Sequence, residues 1–326
     1  MIRAYSGLMA LFVATGFAQQ GWYPHEGGML EYRVAIRFGE EPDTMPDGWK
    51  FGRVSGVGVD SSGDVYVAQR GAKADPIVVF DSKGKYLRSW GKGLFRTPHG
   101  LRIDKGGHVW VTDVDYHLVM EFTNDGKLLR TLGTKGKPGA TKDTFNRPTD
   151  IGFLPNGDFL VTDGYGNSRV VKFSREGRYL LEWGKPGKGP GEFDTPHSLV
   201  VDSHSNVYVS DRENNRIQIF DANGKFLRQW TNLGATQGMD ISPKDELWVI
   251  THRNNQENLS YDTLAGRIMH VDIATGRILG SMESPGHWLA LGHNGEIFIA
   301  SLTGNVFRWY PGWVTGRHET SPGVVR

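Results

Sequence analysis

Three histidines occupy the same place in alternate copies of an internal repeat. His99, His197 and His287 each stand directly before a short apolar stretch of the chain. We call this place the slot; the copies between them hold Ser55, Thr149 and Met239 in it. If the copies close into a ring, alternate slots lie a third of a turn apart, so the three imidazoles converge on the axis. Three histidines with one coordination position left open form a ligand set for catalytic zinc. The sequence therefore predicts a metal-centred enzyme.

The repeat itself predicts the fold. Six slots follow one another at intervals of 42 to 50 residues. After each slot come alternating apolar runs such as DVYVAQ (64–69), HVWVTD (108–113) and NVYVSD (206–211), bounded by Gly- or Asn-containing turns. Short period-two runs joined by tight turns are typical of antiparallel strands. Four strands in about 40–50 residues is the size of one propeller blade. We therefore expect an all-β fold, a six-bladed β-propeller of four-stranded antiparallel blades.

The last repeat lacks an outer strand of its own, because the tail after VFRWYP (306–311) is weakly patterned. The segment YRVAIRFG (32–39), ahead of the first slot, is available for that place. An N-terminal strand paired there would close the ring and remove an exposed sheet edge.

Composition and the N-terminus predict an exported protein. A single Arg3 precedes an apolar run from about Leu8 to Phe17, and small residues precede Gln19. This pattern predicts a signal peptide over residues 1–18, followed by one propeller domain over 19–326, secreted or periplasmic. No other segment is apolar enough to cross a membrane. The net charge is +1 with no basic stripe, which argues against nucleic acid as a partner, and the chain has no cysteine, which excludes thiolate metal sites. We expect a monomer.

Blade topology places further side chains beside the histidines. In a four-stranded antiparallel blade, the loop entering the first strand and the loop between the second and third strands lie on one face. Those second-to-third loops carry Arg70, His117, Tyr165, Arg212, His252 and Arg253. Cations and a phenol beside a metal suit a reaction in which an oxyanion develops or a proton is removed.

Several stretches resemble the peptidyl-α-hydroxyglycine α-amidating lyases, a family of NHL-repeat propellers. TPHGLRIDKGGHVWVTDVDYHLVMEF (97–122) is similar to their first metal-binding repeat. RPTDIGFLPNGDFLVTDGYGNSRVVKF (147–173) and PHSLVVDSHSNVYVSDRENNRIQIF (196–220) resemble the two repeats that follow, and QRG (69–71) matches an arginine-bearing loop. The similarity is dense from about residue 50 to 230, where it includes the slot histidines His99 and His197, and thins out afterwards.

The resemblance implies a function residue by residue. It places the zinc ligands of the family at His99, His197 and His287, and its catalytic tyrosine, acting as a phenolate base, at Tyr165. It places substrate-orienting arginines at Arg70 and Arg212. The implied reaction cleaves the N–Cα bond of a peptidyl-α-hydroxyglycine and releases a peptide amide and glyoxylate. The partner would be a peptide or small-molecule substrate.

One departure concerns calcium. In the family an aspartate follows the third histidine and binds a calcium ion in the central channel, whereas Trp288 stands there in this chain. Backbone carbonyls around Val57 and Leu101 remain available to a cation, but the anionic ligand is missing. We therefore expect Trp288 to fill this space in place of a structural calcium.

Two other functions are compatible with the same residues. A lactone or ester hydrolase would use the same zinc to activate water, although a histidine-only set argues against it. A non-catalytic recognition module of NHL type would bind peptide or glycan on the same face. His117, His252 and Arg253 have no assigned role. We interpret the recurring polar residues that end and follow the second strands as scaffolding of the repeat: Asp113, Asp163, Asn167, Arg169, Asp211, Asn215 and Arg216.

Overall fold

The computed structural model describes residues 32–38, 45–251, 266–284 and 286–311. The regular secondary structure of these residues is β-strand apart from one 3-10 turn, Arg212–Asn214. The predicted signal peptide lies outside the described residues, as do His252 and Arg253. Within the described ranges, no helix has the length and apolar character needed to span a bilayer.

The strands form six sheets, one for each repeat. Blade 1 contains β2 (Val54–Val59), β3 (Val65–Gln69), β4 (Ile77–Phe80) and β5 (Tyr86–Trp90). Blade 2 contains β6 (Pro98–Ile103), β7 (Val109–Asp113), β8 (Leu118–Phe122) and β9 (Leu128–Leu132). Blade 3 contains β10 (Asp150–Phe153), β11 (Phe159–Asp163), β12 (Arg169–Phe173) and β13 (Tyr179–Trp183). Blade 4 contains β14 (Pro196–Val201), β15 (Val207–Asp211), β16 (Arg216–Phe220) and β17 (Phe226–Trp230). Blade 5 contains β18 (Thr236–Ile241), β19 (Leu247–Thr251), β20 (Gly266–Val271) and β21 (Ile278–Ser284).

Blade 6 closes the ring with a strand from the other end of the chain. It contains β22 (Trp288–Leu291), β23 (Ile297–Ser301) and β24 (Asn305–Pro311), and its outer strand is β1 (Tyr32–Phe38). β1 runs antiparallel to β24, with Tyr32 opposite Pro311 and Phe38 opposite Val306. The predicted six-bladed propeller and its closure by the N-terminal strand are thus confirmed. The first strand of each blade contacts the first strand of the next, and β22 contacts β2, so six inner strands surround a central channel.

The hydrophobic core lies between the blades. One cluster joins Tyr66 and Val79 of blade 1 to Leu101 and Phe122 of blade 2, and similar clusters join the other neighbours. Because each blade is covered on both faces, its second and third strands are buried along most of their length, whereas outer strands such as β9 and β13 are partly exposed. Burial of apolar surface against both neighbouring blades stabilises the arrangement of the sheets around the channel.

Tryptophans of the outer strands pack against the neighbouring blade. Trp90, Trp183 and Trp230 each cover a turn glycine of the next blade, namely Gly126, Gly224 and Gly276. A Cβ atom on Gly126 would lie 2.4 Å from the indole of Trp90, and its φ of +93° is one that residues with a side chain rarely adopt. The glycine is required at this turn both by its backbone conformation and by the indole above it.

Gly126→Ala therefore tests this inter-blade contact. We expect it to lower the free energy of unfolding by about 2–4 kcal/mol, because left-handed strain and overpacking against Trp90 add together. Gly107 is the matched control, since its φ is +79° and its Cβ would meet nothing within 4 Å. Gly107→Ala should cost only about 1–2 kcal/mol. Equilibrium urea unfolding compares the two variants, and equal losses would show that Trp90 contributes nothing at this position.

Candidate metal centre

The three slot histidines meet at one point on the channel axis. His99 and His197 are the second residues of β6 and β14, and His287 immediately precedes β22. Their ring centroids lie 4.8 Å (His99–His197), 4.8 Å (His99–His287) and 5.2 Å (His197–His287) apart. One ring nitrogen from each lies within 4.8 Å of the others, and all three residues are at most 3% exposed. The structure therefore brings together the three side chains that the repeat pattern singled out.

Backbone carbonyls of the intervening blades set the tautomer of each histidine. The Nδ1 atoms of His99, His197 and His287 lie 2.8, 2.5 and 2.8 Å from the carbonyl oxygens of Thr149, Gln237 and Ser55. A carbonyl only accepts, so each Nδ1 carries the proton and donates it, and each Nε2 carries the lone pair that a metal requires. Two of these acceptors, Thr149 and Ser55, are predicted slots without histidine. The third shows that the predicted slot at Met239 is wrong: the strand register of blade 5 puts Gln237 in this place, and Met239 is the counterpart of Leu199, two residues beyond the slot. The sequence did not indicate that these carbonyls accept the histidine protons, because every residue type has a carbonyl.

Burial and nearby positive charge favour the neutral form of His99 and His197. Burial lowers the pKa of His99 and His197 well below the usual range of a histidine. The positive charge of Arg70 lowers the pKa of His99 further, and that of Arg212 does the same for His197. Neutral imidazole is the form that binds metal ions. The donor set of three buried imidazole nitrogens thus fits zinc, with no carboxylate among the clustered ligands.

Tyr165 places its hydroxyl oxygen against this centre. It lies in the loop between β11 and β12, and its oxygen is 3.0 Å from Nε2 of His99 and 2.8 Å from Nε2 of His197. The preceding Gly164 packs so closely on blade 4 that a Cβ there would lie 1.9 Å from the carbonyl oxygen of Pro196. This close approach, available only to glycine, brings the tyrosine loop of blade 3 over the channel mouth.

Three arginines surround the tyrosine. The Arg212 guanidinium lies 5.3 Å from the centre of the Tyr165 ring, with Nη1 3.4 Å from the hydroxyl oxygen. Arg70 donates from Nε to the carbonyl of Pro98 at 2.9 Å. Burial lowers the pKa of Arg70; in Arg212 burial acts in the same direction but is outweighed by Tyr165 and Glu213, so its pKa is raised. The third, Arg147, was missed by sequence reasoning, although its Cζ lies 5.5 Å from the centre of the Tyr165 ring.

The polar residues interpreted as scaffolding hold these loops in place. Asp163 accepts from Asn167 at 2.6 Å and from Arg169 at 3.0 Å across the base of the Tyr165 loop. Asp211 accepts from Arg216 at 2.6 Å beneath the Arg212 turn. In that shorter loop Asn214, and not Asn215, bonds to the aspartate, at 2.9 Å. Asn215 instead takes a left-handed conformation, with φ of +54°, at the end of the turn.

His117 lies outside the metal cluster. Its Nδ1 accepts a hydrogen bond from the backbone N–H of Arg147 at 3.1 Å, and its own φ is +59°. The carbonyl of Arg147 in turn accepts from the N–H of Tyr165 at 3.2 Å. His117 therefore supports the tyrosine loop through the backbone of its neighbour.

Trp288 lies beside all three histidines and is fully buried. Its ring centroid is 5.8, 6.2 and 5.9 Å from those of His99, His197 and His287. Its indole N–H makes no hydrogen bond to the described residues. An N–H donor stands where calcium would need an anionic oxygen ligand, and the remaining candidates at Val57 and Leu101 are neutral carbonyls. The residues present at this position do not fit a calcium ion.

Comparison with known proteins agrees with this architecture. A family model described as a 6-bladed beta-propeller matches residues 141–263, and an NHL-repeat model matches residues 95–122. Mouse NHL repeat-containing protein 3 is 37% identical over 82% of this chain and 80% of its own length. Peptidyl-alpha-hydroxyglycine alpha-amidating lyase 1 of Drosophila melanogaster is 34% identical over 56% of this chain and 40% of its own length.

Other matches concern larger proteins or the fold alone. The chain spans 22–37% of the length of the peptidylglycine alpha-amidating monooxygenases of mouse, rat and Xenopus laevis that it matches. A streptogramin B lyase structure superposes with a TM-score of 0.57 at 17% identity, covering 86% of this chain and 97% of that one. The chain belongs to the family of NHL-repeat six-bladed β-propellers that includes NHL repeat-containing protein 3 and the peptidyl-α-hydroxyglycine α-amidating lyases.

Proposed function

We propose that this protein is an exported, zinc-dependent lyase that cleaves the N–Cα bond of a peptidyl-α-hydroxyglycine-type substrate. The observation that carries the proposal is the position of the Tyr165 oxygen, 3.0 and 2.8 Å from the Nε2 atoms of His99 and His197. A phenol oxygen at the metal ligands, faced by guanidinium groups, is placed to move a proton at the reacting centre. The resemblance to the amidating lyases implies roles for these same residues.

The reaction needs only a proton transfer within the substrate. The O–H and N–Cα bonds break, the Cα–O bond becomes a carbonyl, and the amide nitrogen gains the proton. No oxidant, reductant or water is consumed. Tyr165 takes the hydroxyl proton in this scheme, so it must act as the phenolate, and Arg212 directs positive charge at its oxygen. Zinc held by the three histidines would supply a Lewis acid at the site.

The arginines support the proposed substrate class. An α-hydroxyglycine substrate carries a carboxylate next to the bond that breaks, and the product glyoxylate retains it. Arg70 and Arg212 are largely buried cations beside Tyr165, which suits recognition of a carboxylate by charge-assisted hydrogen bonds. A carboxylate bound there places the α-hydroxyl next to Tyr165 and the histidines. Transport to the secreted or periplasmic space through residues 1–18, and action as a monomer, complete the proposal.

A glyoxylate-release assay tests this function. Zinc-loaded protein is incubated with an N-acyl-α-hydroxyglycine, and the glyoxylate and the amide are both quantified. We expect the two products in equal amounts, at a rate well above that of the heat-denatured sample, which measures spontaneous breakdown. The proposal would be wrong if the fully zinc-loaded protein released no extra glyoxylate. If that protein hydrolysed an ester or a lactone instead, the hydrolase alternative would be correct.

A further inference from the structure

A second polar layer lies in the channel, one residue beyond the histidines. By strand register, the residues one place after the histidines and after their counterparts Ser55, Thr149 and Gln237 are Gly56, Gly100, Asp150, Ser198, Gly238 and Trp288. Blades 1, 2 and 5 contribute only glycine to this layer, and a Cβ on Gly100 would lie 2.4 Å from the carbonyl oxygen of Thr149. Blade 3 contributes the carboxylate of Asp150 and blade 4 the hydroxyl of Ser198, and the carboxylate of Asp240 lies two residues further along the inner strand of blade 5, in register with Arg102. Oxygen ligands from blades 3, 4 and 5 therefore face a space that the three glycines leave open.

The guanidinium of Arg102 occupies this space. Arg102 lies on β6 of blade 2, and its side chain is 11% exposed. It binds Asp150 of blade 3 through two bonds of 2.9 and 2.7 Å. It also lies 3.2 Å from the Ser198 hydroxyl, 2.9 Å from the Met239 carbonyl oxygen and 3.6 Å from an oxygen of Asp240. Its carbon Cζ stands 4.8 Å from the centre of the Trp288 ring of blade 6.

A β-bulge explains how one strand presents both a histidine and this arginine to the channel. In β6 Pro98 is opposite Asp113 and Leu101 is opposite Val111, so one extra residue is inserted between them. Without that bulge His99 and Arg102, three positions apart, would point to opposite faces of the strand. One inner strand thus supplies a ligand for the metal centre and the cation of the layer beneath it.

The surrounding carboxylates are arranged around this cation. Asp150 also accepts from the Ser198 hydroxyl and from the backbone N–H of Leu199, each at 2.9 Å. Burial alone would lower the pKa of Arg102, but Asp150 and Asp240 outweigh it and raise the pKa. A charged guanidinium enclosed by two carboxylates, a hydroxyl and a carbonyl has the oxygen environment that proteins otherwise offer to calcium.

We infer that the guanidinium of Arg102 takes the place of a structural metal ion in the channel. It is a fixed positive charge among oxygen groups of the kind that bind divalent cations, and its contacts join blades 2 to 6. The relatives implied by the resemblance obtain their channel cation as calcium, through an aspartate that this chain replaces with Trp288. Here the carboxylates come from blades 3 and 5 instead, and the indole face of Trp288 lies against the guanidinium. Removing Arg102 opens a site for one calcium ion, with Asp150, Asp240, Ser198 and the Met239 carbonyl as ligands.

The inference is tested by melting temperature and calcium binding, readouts that do not depend on the proposed lyase activity. The zinc-loaded wild-type protein should bind no calcium in isothermal titration and should melt at the same temperature with and without CaCl2. Arg102→Ala should melt about 10 °C lower, because it leaves buried carboxylates without their cation. Saturating calcium should bind to it with a stoichiometry of one and restore about half of that loss.

Arg308→Ala is the matched control. Arg308 pairs with Glu296 at 2.9 Å, with both side chains buried, but Glu296 is a single carboxylate outside the channel. Arg308→Ala should lower the melting temperature, and calcium should not raise it again. The melting temperature of the double variant Arg102→Ala/Asp150→Asn should also not rise with calcium. If Arg102→Ala is obtained only unfolded, Arg102→Met, which keeps the apolar stem, provides the comparison. Calcium binding by the wild type, or a folded Arg102 variant that ignores calcium, would overturn the inference.

Discussion

Replacing His197 by alanine should reduce the zinc content of the purified, zinc-loaded protein from about one ion per chain to near zero, and should abolish turnover. His197 is fully buried, and its Nδ1 is committed to the carbonyl of Gln237, so its Nε2 is held in place for a metal ion. No cysteine exists in the chain to replace the lost ligand. Even an outer-shell partner of a metal ligand is worth about 10–100-fold in affinity, and the loss of a ligand itself should exceed that.

Zinc quantified by mass spectrometry after desalting, together with competition against a chelator of known affinity, measures this effect. His204→Ala is the matched control, because the His204 side chain is 79% exposed on a turn. It should retain one zinc ion per chain and full activity. Zinc should also raise the melting temperature of the wild type and of His204→Ala, but not that of His197→Ala. If His197→Ala binds zinc as tightly as the wild type does, the three histidines are not the metal site.

Replacing Tyr165 by phenylalanine should lower kcat for glyoxylate release by about 10²–10⁴-fold and leave the zinc content unchanged. The substitution removes one oxygen atom, the one that lies 2.8 Å from Nε2 of His197, and keeps the ring on which Arg212 packs. The proton-transfer group disappears while the metal ligands and the arginines stay. KM should therefore change little, since the substrate carboxylate still meets Arg70 and Arg212.

Tyr116→Phe is the control for this measurement. Tyr116 lies in the corresponding loop of blade 2, where its ring packs against Lys135 with Nζ 4.2 Å from the ring centre. Within the described part of the chain, the hydroxyl that bonds to the histidines is that of Tyr165 and not that of Tyr116, so removing the Tyr116 hydroxyl should leave kcat within about twofold. A Tyr165→Phe enzyme that keeps full zinc and full kcat would show that Tyr165 only covers the channel mouth. Loss of zinc together with activity would assign the tyrosine a role in metal retention and not in proton transfer.

Much of the fold and part of the site could be predicted because they are properties of a repeat. Turn residues and alternating apolar runs determine strands locally, and their recurrence determines the number of blades. Once the ring is known, the spacing of His99, His197 and His287 places them at alternate blades. The same topology places Tyr165, Arg70 and Arg212 on that rim. The unpatterned end of the last repeat, together with the segment at 32–39, predicted the closing strand.

Contacts between distant parts of the chain could not be predicted in this way. Spacing did not indicate that Thr149, Gln237 and Ser55 supply the carbonyls that set the histidine tautomers, because a backbone carbonyl leaves no mark in the sequence. Arg147 has no counterpart in the repeat pattern, and its place beside Tyr165 depends on a left-handed turn with φ of +64°.

The sequence by itself determined the phase of the repeat in five of the six blades, and with it the ring and the angular positions of the three histidines. In blade 5 the structure moves the slot from Met239 to Gln237. It also showed Trp288 in place of a calcium ligand, but not what replaces the calcium. Only the tertiary structure decided that Arg102 reaches across the channel to Asp150, 48 residues away, and to Met239, 137 residues away. The physical reason is that periodicity follows from local hydrogen bonding between neighbouring strands. The depth and direction of one side chain in the channel follow instead from a bulge and from packing by five blades at once.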